Sequence, residues 1–435
     1  MSSRFVNIDR QTPMLLPPDL RDWVQDDDLV HFLVEALALL DVSEAKVNAR
    51  GTGSEEYPPA MMLGLLIYCY ANGLFSSRQI ERATYRNLSV RYLAANTHPD
   101  HDTIATFRRK NGALLRGAFV QLLQLARQAG LLKLGVVALD GTKLQANATK
   151  RKTLSAAEVE AQLSRLDGQV AELLQQAETA DQQEVVEEEL PAELADVQKR
   201  RARLLEAKAA LEQQARQRYE QREEQRQNRP PGDRPRRISP EPRANDTINP
   251  TDPGSTLTPT AQQPYIQGYN AQLVVSAEGC GLIVAADVVR DTSDNQQLQP
   301  MIEQAIQNTG NVPDQVLVDT GYENLRQTLA VEQTQGLEVL CPPAASANAR
   351  PEVIPRSRWR RESKALRAQL RARLQTVEGR ARYALRSVTV EPAFGIIKGA
   401  LGFRRFGLRG LEKVKIEWLL VSLAFNCRRL ALRWG

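Results

Sequence analysis

The sequence predicts an α/β fold that is preceded by an all-helical segment and interrupted by a long helical hairpin. Three observations support this prediction. Apolar residues recur at helical spacing within residues 1–130, heptad-like seams occupy 154–226, and short apolar runs alternate with amphipathic stretches after residue 264. The chain has 435 residues, 42% of them hydrophobic and 25% charged, which suits a globular protein of two or three folded units.

The N-terminal segment, residues 1–130, contains three predicted helices. One covers 58–73, beginning with prolines and ending at a glycine, a second covers 76–87 after a serine cap, and a third covers 102–130. Short helices that carry several Arg and Lys residues are compatible with a helix-turn-helix-like DNA reader. They are equally compatible with a helical dimerisation domain, so the sequence leaves both interpretations open.

The next stretch holds a predicted strand, an insertion and a linker. Residues 134–140 form a short valine-rich run that ends in Asp140, which predicts a buried strand. Residues 154–226 carry apolar residues in alternating steps of three and four, which predicts an antiparallel helical hairpin projecting from the core. A coiled-coil dimerisation arm is the alternative. Residues 227–263, rich in Pro, Arg, Asn, Asp and Thr, are interpreted as a loop or partly disordered linker.

Residues 264–435, together with 131–153, form the predicted α/β core. The pattern predicts a β-hairpin over 268–279 and 281–289, a helix over 295–310 and a strand over 315–321. A helix over 324–336, a strand over 337–343 and a final helix over 411–432 follow. The core therefore alternates strands with helices, as expected for a sheet that is covered by helices.

The composition excludes several kinds of site and of protein. Four cysteines lie far apart without a CxxC pair, so we expect neither an obvious zinc site nor a disulfide framework. The 3 histidines all lie near the N-terminus, so catalysis must depend on carboxylates, hydroxyls or metal. No apolar run is long enough to cross a membrane and the N-terminus does not resemble a secretory signal, which predicts a cytoplasmic protein.

Positive charge is concentrated in one segment. The formal net charge is +5, but residues 356–386 contain eleven Arg and Lys residues against only Glu362 and Glu378. A segment of that density suits a polyanionic partner such as nucleic acid. A solvated basic helix face is the alternative.

Three acids are candidate metal ligands. Asp140 and Asp319 each end a predicted buried strand, at the sheet rim where α/β proteins place ligands. Glu391 opens a predicted helical segment that also carries Lys398 two turns further on, on the same face. Carboxylates of this kind can hold Mg²⁺ beside a phosphate substrate. An aspartate after a strand is also a common turn or cap residue. Three other acids, Asp287, Asp291 and Asp294, compete for the role.

The combined pattern resembles the DDE transposases of bacterial insertion sequences. The stretch from YPPAMMLGLLIYCYANG to DHDTIATFRR is similar to the helical domain that opens many of these proteins. ALDGTKL matches the setting of their first catalytic aspartate, and VLVDTGYEN that of the second. Their signature Tyr-x2-Arg-x3-Glu-x6-Lys is approximated by Tyr383, Arg386, Glu391 and Lys398, although four residues rather than three separate Arg386 from Glu391.

The resemblance implies an RNase H-like mixed sheet with flanking helices. It implies Asp140 on the first strand, Asp319 on the fourth and Glu391 on a later helix, together holding Mg²⁺, for which Mn²⁺ may substitute. It also implies cleavage at the element's terminal inverted repeats, strand transfer into target DNA, and a homodimer assembled on DNA and associated with the nucleoid. DNA contacts are expected from Lys398, Tyr383, Arg386, Arg404, Arg405 and Arg409.

The resemblance implies two further properties, and two alternative functions remain open. It implies no membrane and no small-molecule cofactor. The segment TINPTDP is similar to one found in related transposases, so Asp252 is a further candidate to approach the site. An RNase H-like structure-specific nuclease would cut without joining. A catalytically inactive or domesticated transposase-derived protein would bind DNA without cutting it.

Overall fold

A six-stranded mixed sheet forms the centre of the fold. The computed structural model describes residues 19–46, 56–182, 190–229, 234–260, 264–343 and 358–433. The strands of this sheet are β1 (Val136–Gln145), β4 (Thr256–Thr258), β5 (Ile266–Ser276), β6 (Ile283–Val289), β7 (Gln315–Leu317) and β8 (Glu338–Leu340). Their order is β4-β5-β1-β7-β8, with β6 also paired to β5, and the two-residue strands β2 (Leu154–Ser155) and β3 (Thr247–Ile248) form a separate pair. The predicted α/β class with a mixed sheet is confirmed.

Strand β1 combines two kinds of pairing. It runs antiparallel to β5 over its length from Val137 to Gln145, but parallel to β7 only from Val136 to Ala138. Beyond Ala138, one edge of β1 therefore has no partner strand from β7. The prediction that the strand ends at Asp140 is wrong, because β5 is long enough to pair with β1 as far as Gln145. The apolar pattern detected only the buried half of the strand.

The helices of the N-terminal segment differ from prediction at one point. They are α1 (Leu29–Ala38), α2 (Pro59–Ala71), α3 (Ser77–Arg86), α4 (Leu88–Leu93), α5 (His101–Lys110) and α6 (Gly112–Gln128). The predicted helices over 58–73 and 76–87 are confirmed. The single helix predicted over 102–130 is wrong, because the chain breaks at Asn111. The buried Asn111 side chain accepts from Lys46 N at 2.7 Å and donates to Phe107 O at 3.0 Å, which stabilises the break.

Helix α2 joins the N-terminal helices to the sheet. Every residue from Met62 to Ala71 is buried, so α2 has no solvent-facing side there. It packs against the last helix, α13 (Leu411–Ala431), and Arg428 Nη1 donates to Ala71 O at 2.7 Å. Apolar residues of the N-terminal helices, the sheet and α13 belong to one continuous core. The N-terminal segment, residues 1–130, therefore shares its apolar core with the rest of the chain.

The insertion forms the predicted antiparallel helical hairpin. Its helices are α7 (Ala156–Gln182) and α8 (Leu190–Gln227). Arg201 pairs with Asp167 at 2.5 Å and Lys208 with Glu160 at 3.5 Å, so later residues of α8 meet earlier residues of α7. A small apolar core of its own lies between the two helices. The acidic stretch 183–189 lies outside the described residues.

Within the predicted linker, 227–263, the described residues 234–260 are more ordered than its composition suggests. They contribute β3 and β4, and Asn249 and Asp252 are fully buried. Asp252 Oδ1 accepts from Tyr269 Oη at 2.8 Å and from Gly410 N at 2.9 Å. These bonds fix Asp252 beside Tyr269 rather than among the three candidate acids, which corrects the expectation that it approaches the site.

The remaining helices cover the sheet and carry the basic segment. They are α9 (Leu298–Thr309), α10 (Leu325–Gln335), α11 (Arg358–Gln375) and α12 (Val377–Gly395). The predicted hairpin, the helices over 295–310 and 324–336 and the final helix are confirmed, with small differences at their ends. Residues 356 and 357 of the basic segment lie outside the described residues. Among the described helices, none combines the length and apolar character that a membrane crossing requires.

Candidate functional site

Asp140 lies in the middle of β1, beside a glycine that is closely packed. Its Oδ1 accepts from Gly141 N at 2.8 Å. A Cβ atom on Gly141 would lie 2.7 Å from Asp294 Oδ1 and still closer to the Gln272 amide, so a larger residue would displace these hydrogen-bonded side chains. Burial raises the pKa of Asp140 to about 6, and the nearby charge of Asp319 adds to this against the lowering effects of Gly141 and Arg386. The Asp140 carboxylate therefore lies where a positive partner stabilises it.

Asp319 follows the short strand β7, whose last paired residue, Leu317, lies opposite Ala138 of β1. Since Asp319 and Asp140 each lie two residues beyond this pair, the two acids lie at the same edge of the sheet. Asp319 Oδ1 accepts from Gly321 N at 2.8 Å and caps the single 3-10 turn Thr320–Tyr322. Asp319 therefore lies at the rim of the sheet, as predicted, and it also caps a turn, which was the alternative interpretation.

Glu391 projects from the C-terminal part of α12. The prediction that it opens a helical segment is wrong, because α12 runs without interruption from Val377 to Gly395 with Pro392 inside it. Burial of Val390, Ala393 and Phe394 outweighs the hydrogen bond lost at the proline.

Arg386 connects two of the acids. Its Nη1 donates to Asp140 Oδ2 at 3.0 Å, and its Nη2 donates to Glu391 Oε1 at 3.1 Å. The Arg386 side chain is 17% exposed, that of Asp140 18% and that of Glu391 53%, so the bridge is shielded mainly at its Asp140 end. The fork of one guanidinium thus spans two carboxylates of the predicted triad. Burial raises the pKa of Tyr383, while the nearby charge of Arg386 opposes this effect.

Lys398 reaches the same edge from the turn after α12. It lies in the π-helical turn Ile396–Ala400, and its ammonium donates to the Thr142 hydroxyl, two residues along β1 from Asp140. Burial lowers the pKa of Lys398, while the charge of Asp140 opposes this effect. The π-helical turn changes the rotation between Glu391 and Lys398, so their alignment is not that of two regular helical turns.

A buried polar cluster beneath these residues was not identified from the sequence. Asp294 Oδ1 accepts from Asn270 Nδ2 at 2.6 Å and from Gln272 Nε2 at 2.8 Å, and lies 3.5 Å from Lys143 Nζ. The Tyr322 hydroxyl donates to Gln272 Oε1. The cluster therefore links β1, β5 and the turn after Asp319. The sequence feature that could have revealed this cluster is the pair Asn270 and Gln272, which are polar residues at alternate positions of a strand that is buried throughout.

The two other competing acids lie outside this cluster. Asp287 pairs with Lys415 at 3.1 Å, and Asp291 contributes only its backbone carbonyl, which accepts from Asn270 Nδ2 at 3.1 Å. Of the three competitors, only the Asp294 carboxylate therefore belongs to the polar cluster beside the candidate acids.

The three predicted basic contacts of the C-terminal part lie in one loop, residues 401–410. Arg404 Nε donates to Lys398 O at 2.9 Å, Arg405 Nη2 to Asn147 Oδ1 at 3.0 Å, and Arg409 Nε to Asn147 O at 3.0 Å. All three arginines are exposed. The loop backbone is held by the buried Glu417, which accepts from Gly407 N at 3.0 Å and from Leu408 N at 3.0 Å.

The candidate acids at the sheet edge are of the chemical type that binds divalent cations. Carboxylate oxygens are the ligands that Mg²⁺ prefers, and one guanidinium already lies within hydrogen-bond distance of both Asp140 and Glu391. Within the described residues, no group of three or more His, Cys, Asp or Glu side chains is close enough together to hold a metal ion. Arg386 supplies the positive charge between Asp140 and Glu391 in this arrangement.

Comparison with known families gives two matches. A model described as "Transposase domain (DUF772)" matches residues 18–110, which include α1 to α5. A model described as "Transposase DDE domain" matches residues 341–431, which include Glu391, Lys398 and the basic loop. No curated protein and no solved structure gives a significant match.

Proposed function

Since these two matches identify the chain as a DDE transposase of an insertion sequence, we propose that it cleaves DNA at the ends of its element and joins them to target DNA. Asp140, Asp319 and Glu391 are the proposed catalytic metal ligands. The main support is the Arg386 bridge between Asp140 and Glu391, residues distant in the chain. A charge that holds both carboxylates occupies the position proposed for the metal.

Mg²⁺ is the proposed metal, with Mn²⁺ as a substitute. When bound, it would supply a Lewis acid that activates the attacking oxygen and stabilises the leaving one. A bound metal would compete with Arg386 for Asp140 Oδ2 and Glu391 Oε1. The close packing of Gly141 against Gln272 and Asp294 keeps the Asp140 strand in a single position while this exchange occurs.

Arg386 and Lys398 are the proposed contacts to the reacting DNA strand. A guanidinium released from two carboxylates can bind a phosphate in the same two-pronged manner. Lys398, held at Thr142, is suited to contact a phosphate oxygen next to Asp140. Tyr383, whose hydroxyl lies near the charge of Arg386, is proposed to orient that guanidinium as it changes partner.

The proposed partners are the terminal inverted repeats and the target DNA. Arg404, Arg405 and Arg409 project from a loop whose backbone is fixed, so they are proposed to bind DNA phosphates. The N-terminal helices are proposed to read the repeat sequence. A homodimer is the proposed assembly on DNA, because two element ends must be joined together. The helical hairpin remains a separate unit that could contribute to this contact.

Cleavage and joining of a labelled duplex that carries the element's flanking ends test this function. We expect nicked and joined products from the parent protein with Mg²⁺, and none with EDTA. Glu391→Ala should abolish both products while DNA binding persists, because only a metal ligand is lost. Glu412→Ala, an exposed acid at the start of α13, is the matched control and should behave as the parent.

Other outcomes identify the rival functions. Metal-dependent cutting without joined products would support a structure-specific nuclease. Tight DNA binding with equal strength in Mg²⁺ and EDTA, and no products from any variant, would support a non-catalytic DNA-binding relative. Full activity of Glu391→Ala would remove Glu391 from the proposed ligand set.

A further inference from the structure

A small cavity lies where helix α5 meets the basic loop 401–410. Its volume is about 320 Å³, and its lining includes Arg109 from α5, Asn147 after β1, Arg409 from the loop and Lys413 from α13. Leu408 and Ile416 form part of its apolar floor. The cavity is therefore built from the N-terminal helices on one side and from the sheet and α13 on the other.

The charge of this cavity is uniformly positive at its solvent-facing side. Arg109, Arg409 and Lys413 are all exposed, and no acidic side chain lines the cavity. The other lining cation, Arg108, is buried and donates to Tyr70 Oη at 2.6 Å and Phe75 O at 3.0 Å. The larger cavities elsewhere differ, since one includes Glu323 and another Glu160, Glu212 and Glu241 in its lining. Three exposed cations without an acid are suited to an anion.

The walls of the cavity are held in place before any ligand binds. Asn147 Nδ2 donates to Gly407 O at 2.7 Å, and Asn147 O accepts from Arg409 Nε at 3.0 Å. Glu417 fixes the backbone of Gly407 and Leu408 from behind. The Arg108 bonds to Tyr70 and Phe75 fix α5 against α2. A site that is already formed loses little conformational entropy on binding.

Strand β1 sets the distance between this cavity and the candidate acids. The loop is paired to the end of β1, because Phe406 N donates to Gln145 O at 2.9 Å and Gln145 N to Arg404 O at 3.4 Å. Asn147 lies seven residues from Asp140, and at about 3.3 Å per residue the separation is at most about 23 Å along the strand direction. One DNA strand advances about 3.4 Å per nucleotide along the helix axis, so this corresponds to about seven nucleotides.

We propose that this cavity binds a backbone phosphate of the element's end, within about seven nucleotides of the cleaved bond. The proposal rests on the proposed function, since it assumes that DNA is cleaved at Asp140. Phosphate contacts position a duplex without reading its sequence. The cavity thus couples the N-terminal helices to the catalytic edge by holding the same DNA strand between them.

Salt-dependent DNA binding tests the cavity. The double variant Arg109→Gln with Lys413→Gln is compared with the parent on a duplex of the element's end and on a scrambled duplex of the same length. Because each lost phosphate contact reduces the slope of log affinity against log salt by about 0.9, we expect the slope to fall by about two. We also expect about tenfold weaker binding at physiological salt, to the same extent on both duplexes.

Two control variants separate charge from folding. Arg116→Gln removes an exposed arginine from α6 outside the cavity lining and should leave the slope unchanged. Lys413→Arg keeps the charge and should also retain it. An unchanged slope for the double variant, in a parent that binds and cuts DNA, would overturn the cavity proposal alone. A parent that binds neither duplex would instead overturn the proposed function.

Discussion

The acidic edge of the sheet and the basic loop 401–410 differ in whether their charged side chains are paired within the chain. At the edge, Asp140 and Glu391 already have a positive partner within the chain, Arg386, at 3.0 and 3.1 Å. In the loop, the backbone is held by Glu417, but the side chains of Arg404, Arg405 and Arg409 are exposed. A metal ion at the first region would compete with Arg386, whereas the exposed arginines of the second can contact a polyanion directly. Variants that affect one region but not the other test this difference.

The largest effect is expected at Gly141, on which the shape of the acidic edge depends. Gly141→Ala places a methyl group against Gln272 and Asp294, so we expect unfolding to become easier by about 3 kcal/mol. Chemical denaturation followed by circular dichroism measures this. Gly168→Ala, in helix α7 with open space around it, should instead stabilise by about 0.5–1 kcal/mol. Equal stability of the two variants would show that β1 is not tightly packed at Asp140.

The next largest effect is expected at Arg386, and it tests whether a metal ion can replace this arginine as the partner of Asp140 and Glu391. Without metal, Arg386→Gln should lower the free energy of unfolding by about 2 kcal/mol, because the Asp140 carboxylate loses its charged donor. Added Mg²⁺ should raise the melting temperature of this variant more than that of the parent, since no side chain competes for the carboxylates.

Arg382→Gln is the matched control for Arg386. Arg382 lies on the same helix and pairs with the exposed Glu378, one turn away at 2.7 Å. Its loss should change stability by less than about 0.5 kcal/mol. A Mg²⁺ response of Arg386→Gln equal to that of Arg382→Gln would contradict competition between Arg386 and the metal.

The smallest effect is expected in the buried cluster beneath the edge. Asp294→Asn keeps an oxygen that can accept from Asn270 or Gln272 but loses the charge beside Lys143, so we expect a loss of about 1 kcal/mol. Asp287→Asn, which removes an acid paired with Lys415, should cost less. Cleavage as completely abolished by Asp294→Asn as by Glu391→Ala would place Asp294 among the metal ligands.

Local patterns predicted the type of most elements but not all of their ends. The apolar run before Asp140 predicted a strand, yet only the length of β5 showed that the strand continues to Gln145. The sequence predicted that Glu391 opens a helical segment, yet burial of the surrounding α12 residues keeps the helix continuous through it. In both cases a partner distant in the chain outweighs a local preference, and spacing within one segment carries no information about that partner.

The sequence by itself determined the α/β class, the helical hairpin and the candidate acids, because periodicity and residue type are local properties. It also supplied the motifs that resemble those of DDE transposases, a resemblance that the two family matches support. Only the tertiary structure decided that Arg386 bridges Asp140 and Glu391, that Asp294 lies beneath them, and that Arg109 and Lys413 line one cavity. These contacts join residues far apart in the chain, so they depend on how the sheet, α5, α12 and α13 pack together.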